Sequence, residues 1–302
     1  MDAPASLAPA LALGLPATYV LSVTALIVEF LVLRWLKEPG DRCGEWASVI
    51  SGGLAFGLLA LANRLVFVGL MMAVWHARLF DLGVTALAFG AAFLVYDLMF
   101  YLAHRAGHEI RLLWCFHSVH HTSEDMRLVA AIRGSAFDFV YLPWFFVWIP
   151  LLGIHPAIVL LVEVFGRLWG VATHVSPRLV GRLGTLDRLV VTPSVHRVHH
   201  GRNEPYLDRN YGEVLTLWDW LLGTYQAELD DERPDYGVRK AIDAGSVRAI
   251  QLSPWVDLAR DLRRTPGVLA KLRVLFDAPG WSHDGPDERV RAVRRAAKQS
   301  ES

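Results

Sequence analysis

Between Leu15 and Leu36 a single acidic residue, Glu29, stands in a run of apolar and small polar side chains that closes on Arg34 and is followed by Lys37. A run of ~20 such residues spans the ~30 Å hydrocarbon core of a bilayer as a helix, the local structure that satisfies its own backbone there. The run lacks the basic leader and the short apolar stretch of a cleaved signal peptide, so it reads as a retained transmembrane anchor. Further apolar segments follow. Trp46 to Trp75 is long and is interrupted by Asn63 and Arg64, and Leu82 to Leu102 is apolar apart from Asp97. Phe137 to Leu152 and Ala157 to Thr173 are separated by Gly153 and Pro156. Pro143 and Pro150 argue against one straight helix, so this stretch is expected to cross twice as a hairpin of short helices. From His174 onward the chain is mostly polar.

Composition agrees with a membrane protein: 53% of residues are hydrophobic, 20% are charged, and the formal net charge is zero. A neutral chain offers no polyelectrolyte surface, so a nucleic-acid partner is not expected. The stretch Asp287 to Lys298 carries Arg289, Arg291, Arg294, Arg295 and Lys298. It reads as a solvated helix, or alternatively as a contact with anionic headgroups. Two cysteines, Cys43 and Cys115, make no disulfide framework. Cys115 is expected as a small buried thiol, with a soft metal ligand as the alternative. Loop charge sets the orientation. Arg34, Lys37 and Arg42 follow the first segment and Arg105, Arg111 and Arg127 the third, whereas His76 to Asp81 holds one Arg. The positive-inside rule puts the first two loops in the cytosol, and a double crossing returns the chain to that face. The expected fold is an all-α integral membrane protein, a multi-pass transmembrane helical bundle with a cytosolic histidine-rich cap.

Nine of the twelve histidines fall in four places: His104 and His108; His117, His120 and His121; His174; and His196, His199 and His200. Positions i and i+4 of a helix share a face, so His104 and His108 can grip one ion, and an H-x2-H-H box sends three imidazoles from one stripe. Neutral imidazole is the commonest metal ligand. Without a metal, clustered imidazoles repel when protonated and are costly to bury unpaired. The isolated His76, His155 and His283 read as ordinary residues. One octahedral ion takes six ligands, so this number implies two ions. Structural zinc takes four ligands and usually Cys, and copper prefers Cys or Met. Two histidine-rich ions suit oxygen activation at iron, although spacing does not separate iron from zinc or manganese. A membrane metal transporter or sensor would place ligands along a mid-membrane path. A di-zinc hydrolase would bring carboxylate ligands or an H-E-x-x-H box. These stand as the alternatives.

The run Asp97-x3-Tyr101-x2-His104-Arg-x2-His108, followed by His117-x2-His120-His121, resembles the fatty acid hydroxylase and sterol desaturase superfamily. So do Thr192-Pro-Ser-Val-His196-Arg-Val-His199-His200 and the stretch Asp208 to Tyr225, with Asn210-Tyr-Gly212, Trp218-Asp219 and Gly223-Thr-Tyr225. The resemblance implies N-terminal transmembrane helices over residues 1–89, a catalytic domain over 90–228 and a polar cytosolic tail over 229–302. It implies a di-iron centre that hydroxylates or desaturates a lipid with O2, fed by a separate electron donor of reductase, cytochrome b5 or ferredoxin type. It carries the box histidines over as ligands, and His174 as a further one. Asp97, seven residues before His104 and on its helix face, is expected to orient an imidazole or to pair with Arg64. Asn210 and Asp219 are expected to orient ligands as well, and Tyr101 and Tyr211 to pack or hydrogen-bond nearby. Tyr141, Trp144, Phe145, Phe146 and Trp148 line a lateral substrate path or face lipid.

Overall fold

The computed structural model describes residues 7–38, 64–135, 137–243 and 246–300. Arg42, Cys43 and the part of the Trp46–Trp75 segment up to Asn63 lie outside them. Helix α1, Ala8–Trp35, has 28 residues, about 42 Å at 1.5 Å per residue. Helix α2 covers Arg64–His76. Helix α3, Ala86–Glu109, begins at Thr85, whose hydroxyl accepts the Ala88 amide at 3.2 Å. Ile110, in extended conformation, turns the chain into α4, Arg111–His117. Gly107 gives the reversal room, since a Cβ there would lie 3.2 Å from His117. After α5, Leu128–Ala131, the chain runs to the opposite end of α3.

That run is not the short helix expected for Phe137 to Leu152. It is a string of 3-10 turns, Asp138–Val140, Leu142–Phe145 and Ile149–Leu152. Pro143 and Pro150 sit in the first turn of the second and third, where a missing amide donor costs least. Gly153 reverses the chain with a φ of 78°. There the Leu79 amide donates to the Leu151 carbonyl at 2.9 Å, and the Leu82 amide to the Gly153 carbonyl at 3.0 Å. Helix α6, Pro156–Thr173, then returns, its amide at Ala157 capped by His155 Nδ1 at 3.1 Å. Helices α3 and α6 are long and apolar enough to cross a membrane by length and composition.

Phe67 and Met71 of α2, Ala88, Ala92 and Tyr96 of α3, Ile149, and Ile158 and Val162 of α6 form the main core. The small residues on α3 let α6 approach closely. A buried Glu163 on α6 binds Arg64 at 2.5 Å and Arg167 at 2.9 Å. Beyond the bundle come α7, Pro193–His199, and α8, Leu217–Leu222. Helices α9, Val247–Arg264, α10, Val268–Phe276, and α11, Val290–Ser300, complete the order. Residues 229–302, expected as a polar tail, thus carry three helices, and α9 and α10 pack on α4 around Cys115, Leu258 and Val274. Among the described residues the β-pairing is limited to isolated bridges, Val190 with Leu215 and Gly201 with Tyr236.

Candidate metal centre

All nine clustered histidines converge at one end of the bundle, in two groups whose ligand atoms lie within 4.8 Å of one another. One group is His104, His108, His117, His121 and His199; the other is His120, His174, His196 and His200. Four elements deliver them. The last turns of α3 present His104 and His108, and the end of α4 with the following 3-10 turn presents His117, His120 and His121. His174 caps α6, and α7 supplies His196, His199 and, at its cap, His200. Thr192 caps α7 through the Val195 amide, and the buried Arg197 fixes its outer face on Glu228 at 2.9 Å and the Val180 carbonyl at 3.0 Å.

The inner nitrogens face one another. His174 Nε2 lies 3.2 Å from His120 Nε2 and 3.0 Å from His196 Nε2, which lies 3.1 Å from His200 Nε2. In the other group His117 and His121 approach to 3.1 Å through Nε2. Nitrogens ~2.1 Å from one ion at adjacent octahedral corners stand ~3.0 Å apart, so these separations fit a shared cation. The Nε2 atoms of His104, His108 and His199 are buried and have no hydrogen-bond partner among the described residues. Leaving them so is costly unless something binds them.

The outer nitrogens are tied down. Nδ1 of His104 donates to the Tyr211 carbonyl at 2.9 Å and that of His199 to the Arg209 carbonyl at 2.9 Å. Nδ1 of His120 donates to the Arg133 carbonyl at 3.1 Å and that of His174 to the Gly170 carbonyl at 2.6 Å. A proton held at Nδ1 leaves the Nε2 lone pair free and fixes the ring plane. Burial, reinforced by neighbouring imidazoles, holds His117, His121, His196, His199 and His200 well below the usual histidine range. Burial brings His120 down to about 4 and His174 to about 3. All are therefore neutral at pH 7, the protonation state a metal requires. The donor set, its spacing and its tautomers fit two transition-metal ions.

Three of the outer contacts come from one short strap. Asp208 Oδ1 lies 3.4 Å from His108 Nδ1, and the carbonyls of Arg209 and Tyr211 hold His199 and His104. Asp208 and Asn210 both take positive φ, 50° and 56°, which Asn and Asp tolerate better than most residues. Asn210 does not touch an imidazole. Its side chain donates to the Val195 and Gln226 carbonyls at 3.0 and 2.7 Å and pins the strap. Asp219 accepts the Tyr211 and Gly212 amides at 2.8 and 2.9 Å. The expectation for Asp97 needs correcting. Its carboxylate contacts neither a box imidazole nor Arg64, but accepts the Val214 and Leu215 amides and the Trp218 indole. The reason is geometric: Arg64 is taken by Glu163, and the strap reaches Asp97 first. Tyr101 bonds Thr224 at 3.0 Å, and the Tyr211 ring packs 5.2 Å from that of His108.

Sequence reasoning passed over Asp208, whose one signal is its place beside Asn210-Tyr-Gly212. It also gave no role to Glu29. This buried side chain accepts the Leu128 amide at 2.7 Å and the Ser176 amide at 2.8 Å, beside His174. Cys115 stands apart from both groups, and burial raises its thiol to about 11, so it offers no thiolate. Of the aromatic stretch, Phe146 stacks on Tyr96 in the core, while Trp144 lines a shallow apolar groove with Val66, Phe67 and Leu70. A separate cavity of about 600 Å³ opens onto His108, His121, His199 and His200, walled by Trp114, Asp208 and parts of α9 and the 237–242 segment.

A family model described as fatty acid hydroxylase matches residues 89–224. The chain is 33% identical to alkylglycerol monooxygenase from Homo sapiens, across 87% of this chain and 59% of that protein. It is 34% identical to the Caenorhabditis elegans alkylglycerol monooxygenase over 61% of this chain and 38% of that protein. It is 30% identical to ornithine lipid hydroxylase OlsE from Rhizobium tropici over 48% of this chain and 44% of that protein. The chain thus spans about three fifths or less of the length of these relatives. No solved structure matches it. With its histidine boxes in the expected order and the family model over its central residues, the chain is similar to the fatty acid hydroxylase and sterol desaturase superfamily.

Proposed function

We propose that this chain is an integral membrane, O2-dependent lipid hydroxylase with two iron ions, one held by each histidine group. The observation that carries this reading is the division of nine imidazoles into groups of five and four, with the outer nitrogens of His104, His120, His174 and His199 donating to carbonyls. Bound there, iron supplies the activation of O2 that an unactivated C–H bond requires. The protein's own part is to hold the rings, exclude bulk water and present the substrate. Hydroxylation uses one O2, two electrons and two protons for each C–H converted to C–OH, with one water released. The cavity beside His108 and His199, lined by charged residues including Lys240, Asp257 and Arg260, would give protons and a separate electron donor their route. The lipid enters from the bilayer along the apolar faces of α2, α3 and α6. The relatives are named for an alkylglycerol and an ornithine lipid, so a lipid with a polar head and a long alkyl chain is the substrate class.

Purified protein should hold two transition-metal ions per chain. His199→Ala and His174→Ala remove a ligand from different groups, and each should lower the content towards one and abolish turnover while membrane insertion persists. Offered alkylglycerol, ornithine lipid and sterol with isotopically labelled O2, the enzyme should place label in one product. Unchanged metal content in both variants, or product formed equally without oxygen, would overturn the reading.

A further inference from the structure

Among the described residues nothing covers one face of the hairpin of α9 and α10. Val268, Leu269, Leu272 and Phe276 are 76%, 76%, 44% and 58% exposed. At ~100° per residue they form a single stripe along α10, opposite Val274, which is buried against Leu258 and Cys115. Lys271 and Arg273 flank the stripe on its two sides, and the exposed Arg263 and Arg264 stand at the tip of the hairpin, just before Pro266-Gly267. Between Val247 and Phe276 there are six basic residues and two acidic ones. Both acids are engaged, Asp257 with Lys240 and Arg260 and Asp261 with Arg111. Arg273 pairs with Asp277 and lies over Trp281, whereas Arg263, Arg264 and Lys271 have no ion pair among the described residues. The surplus positive charge is thus concentrated around the apolar stripe.

The position of the hairpin says what this surface meets. Both helices pack on α4, which leaves α3 after the single residue Ile110. The Arg111 amide bonds the Asp277 carbonyl at 3.0 Å, and this joins the end of α10 to the end of α3. The hairpin therefore lies at the level where α3 ends. In the more basic stretch beyond it, Arg289 binds Asp277 and Asp287, Arg291 binds Asp277 and Arg294 reaches the Leu207 carbonyl, while Arg295 is exposed.

We propose that the α9–α10 hairpin is a peripheral membrane contact specific for anionic phospholipid. Val268, Leu269, Leu272 and Phe276 enter the surface of the leaflet that α3 leaves, and Arg263, Arg264 and Lys271 sit on lipid phosphates. An amphipathic helix with an apolar stripe and flanking cations binds in this way, its basic side chains extending along the apolar surface to the headgroups. The inference rests on reading α3 and α6 as membrane spans. It goes beyond the catalytic reading, because it makes a segment that walls the cavity beside His108 and His199 sensitive to lipid charge.

The test uses the full chain with Cys43→Ser and Leu269→Cys, labelled with an environment-sensitive fluorophore and reconstituted in lipid discs. Cys115 stays unlabelled, since burial keeps its thiol protonated. The expected result is blue-shifted emission and severalfold quenching by spin-labelled lipid, stronger in discs containing phosphatidylserine than in pure phosphatidylcholine. Adding Arg263→Gln and Arg264→Gln should remove the difference between the two lipids. Free quenching by aqueous iodide in both discs would overturn the proposal. So would protection from both quenchers, which would mean a second copy of the chain or another protein segment covers the stripe. Release of the whole chain from membranes by alkaline carbonate would overturn the span reading together with the proposal. Retention with an iodide-accessible label overturns the proposal alone.

Discussion

Among the described residues, Asp208 reaches His108 Nδ1 as a carboxylate, whereas His104, His120, His174 and His199 donate through Nδ1 to backbone carbonyls. It occupies a left-handed backbone position that Gly accepts freely and Asn tolerates. Asp208→Gly should therefore weaken metal binding in the five-histidine group by ~10–100-fold without straining the strap, the usual scale for losing a partner behind a ligand. Asp208→Asn should keep most of the affinity, since an oxygen acceptor remains. A competitive metal titration resolving the tighter and weaker ion would check both. Identical affinities in both variants would show that His108 needs no such partner. At this scale the sequence was informative about which imidazoles cluster and poor about their supports. The imidazoles announce themselves by spacing, whereas four of the Nδ1 acceptors are main-chain carbonyls, which any residue type supplies.

Among the elements, the descending stretch from Asp138 to Leu152 shows what pattern alone misses. Its apolar character was legible, but its conformation depended on two prolines and on the reversal at Gly153. A side chain at 153 would lie 2.7 Å from the Phe80 backbone and would have to adopt φ of 78°. Gly153→Ala should cost ~1–3 kcal/mol, the scale of one residue held in a sparsely populated region with a close contact added. Because this turn is at the opposite end of α3 from the histidines, thermal unfolding should shift downward while metal content per folded chain stays constant. A loss of metal without a loss of stability would contradict that separation. Helices α9 and α10 were harder to foresee. Their mixed polarity reads as a solvated tail until α4 is seen to present Cys115 and Leu112 to them.

For the molecule as a whole, the histidine site links stability to pH. The unfolded chain protonates its histidines near 6.5, while the folded chain holds His120 to about 4 and His174 to about 3. Between those values the unfolded state binds more protons, so stability falls as pH falls; above 6.5 neither state gains and the effect vanishes. The melting temperature should be flat above pH 7 and decline from about pH 6.5 towards 4, with a shallower decline in His174→Ala. A profile unchanged by that substitution would deny the linkage. The broad architecture was readable because apolar length and histidine spacing are local properties of the chain. The way its parts hold one another was not, because the carboxylate of Glu29 and the amides it binds at Leu128 and Ser176 lie 99 and 147 residues apart. The family match begins at residue 89, yet the acceptor for those amides comes from α1. A chain trimmed to the matched region would leave two backbone donors unanswered in an apolar setting, one beside His174. Glu29→Gln should retain much of the metal content and Glu29→Leu should lose it at the four-histidine group first. A helix that served only to hold the chain in a bilayer would be replaceable by any other of equal length; α1, which supplies this carboxylate, is not.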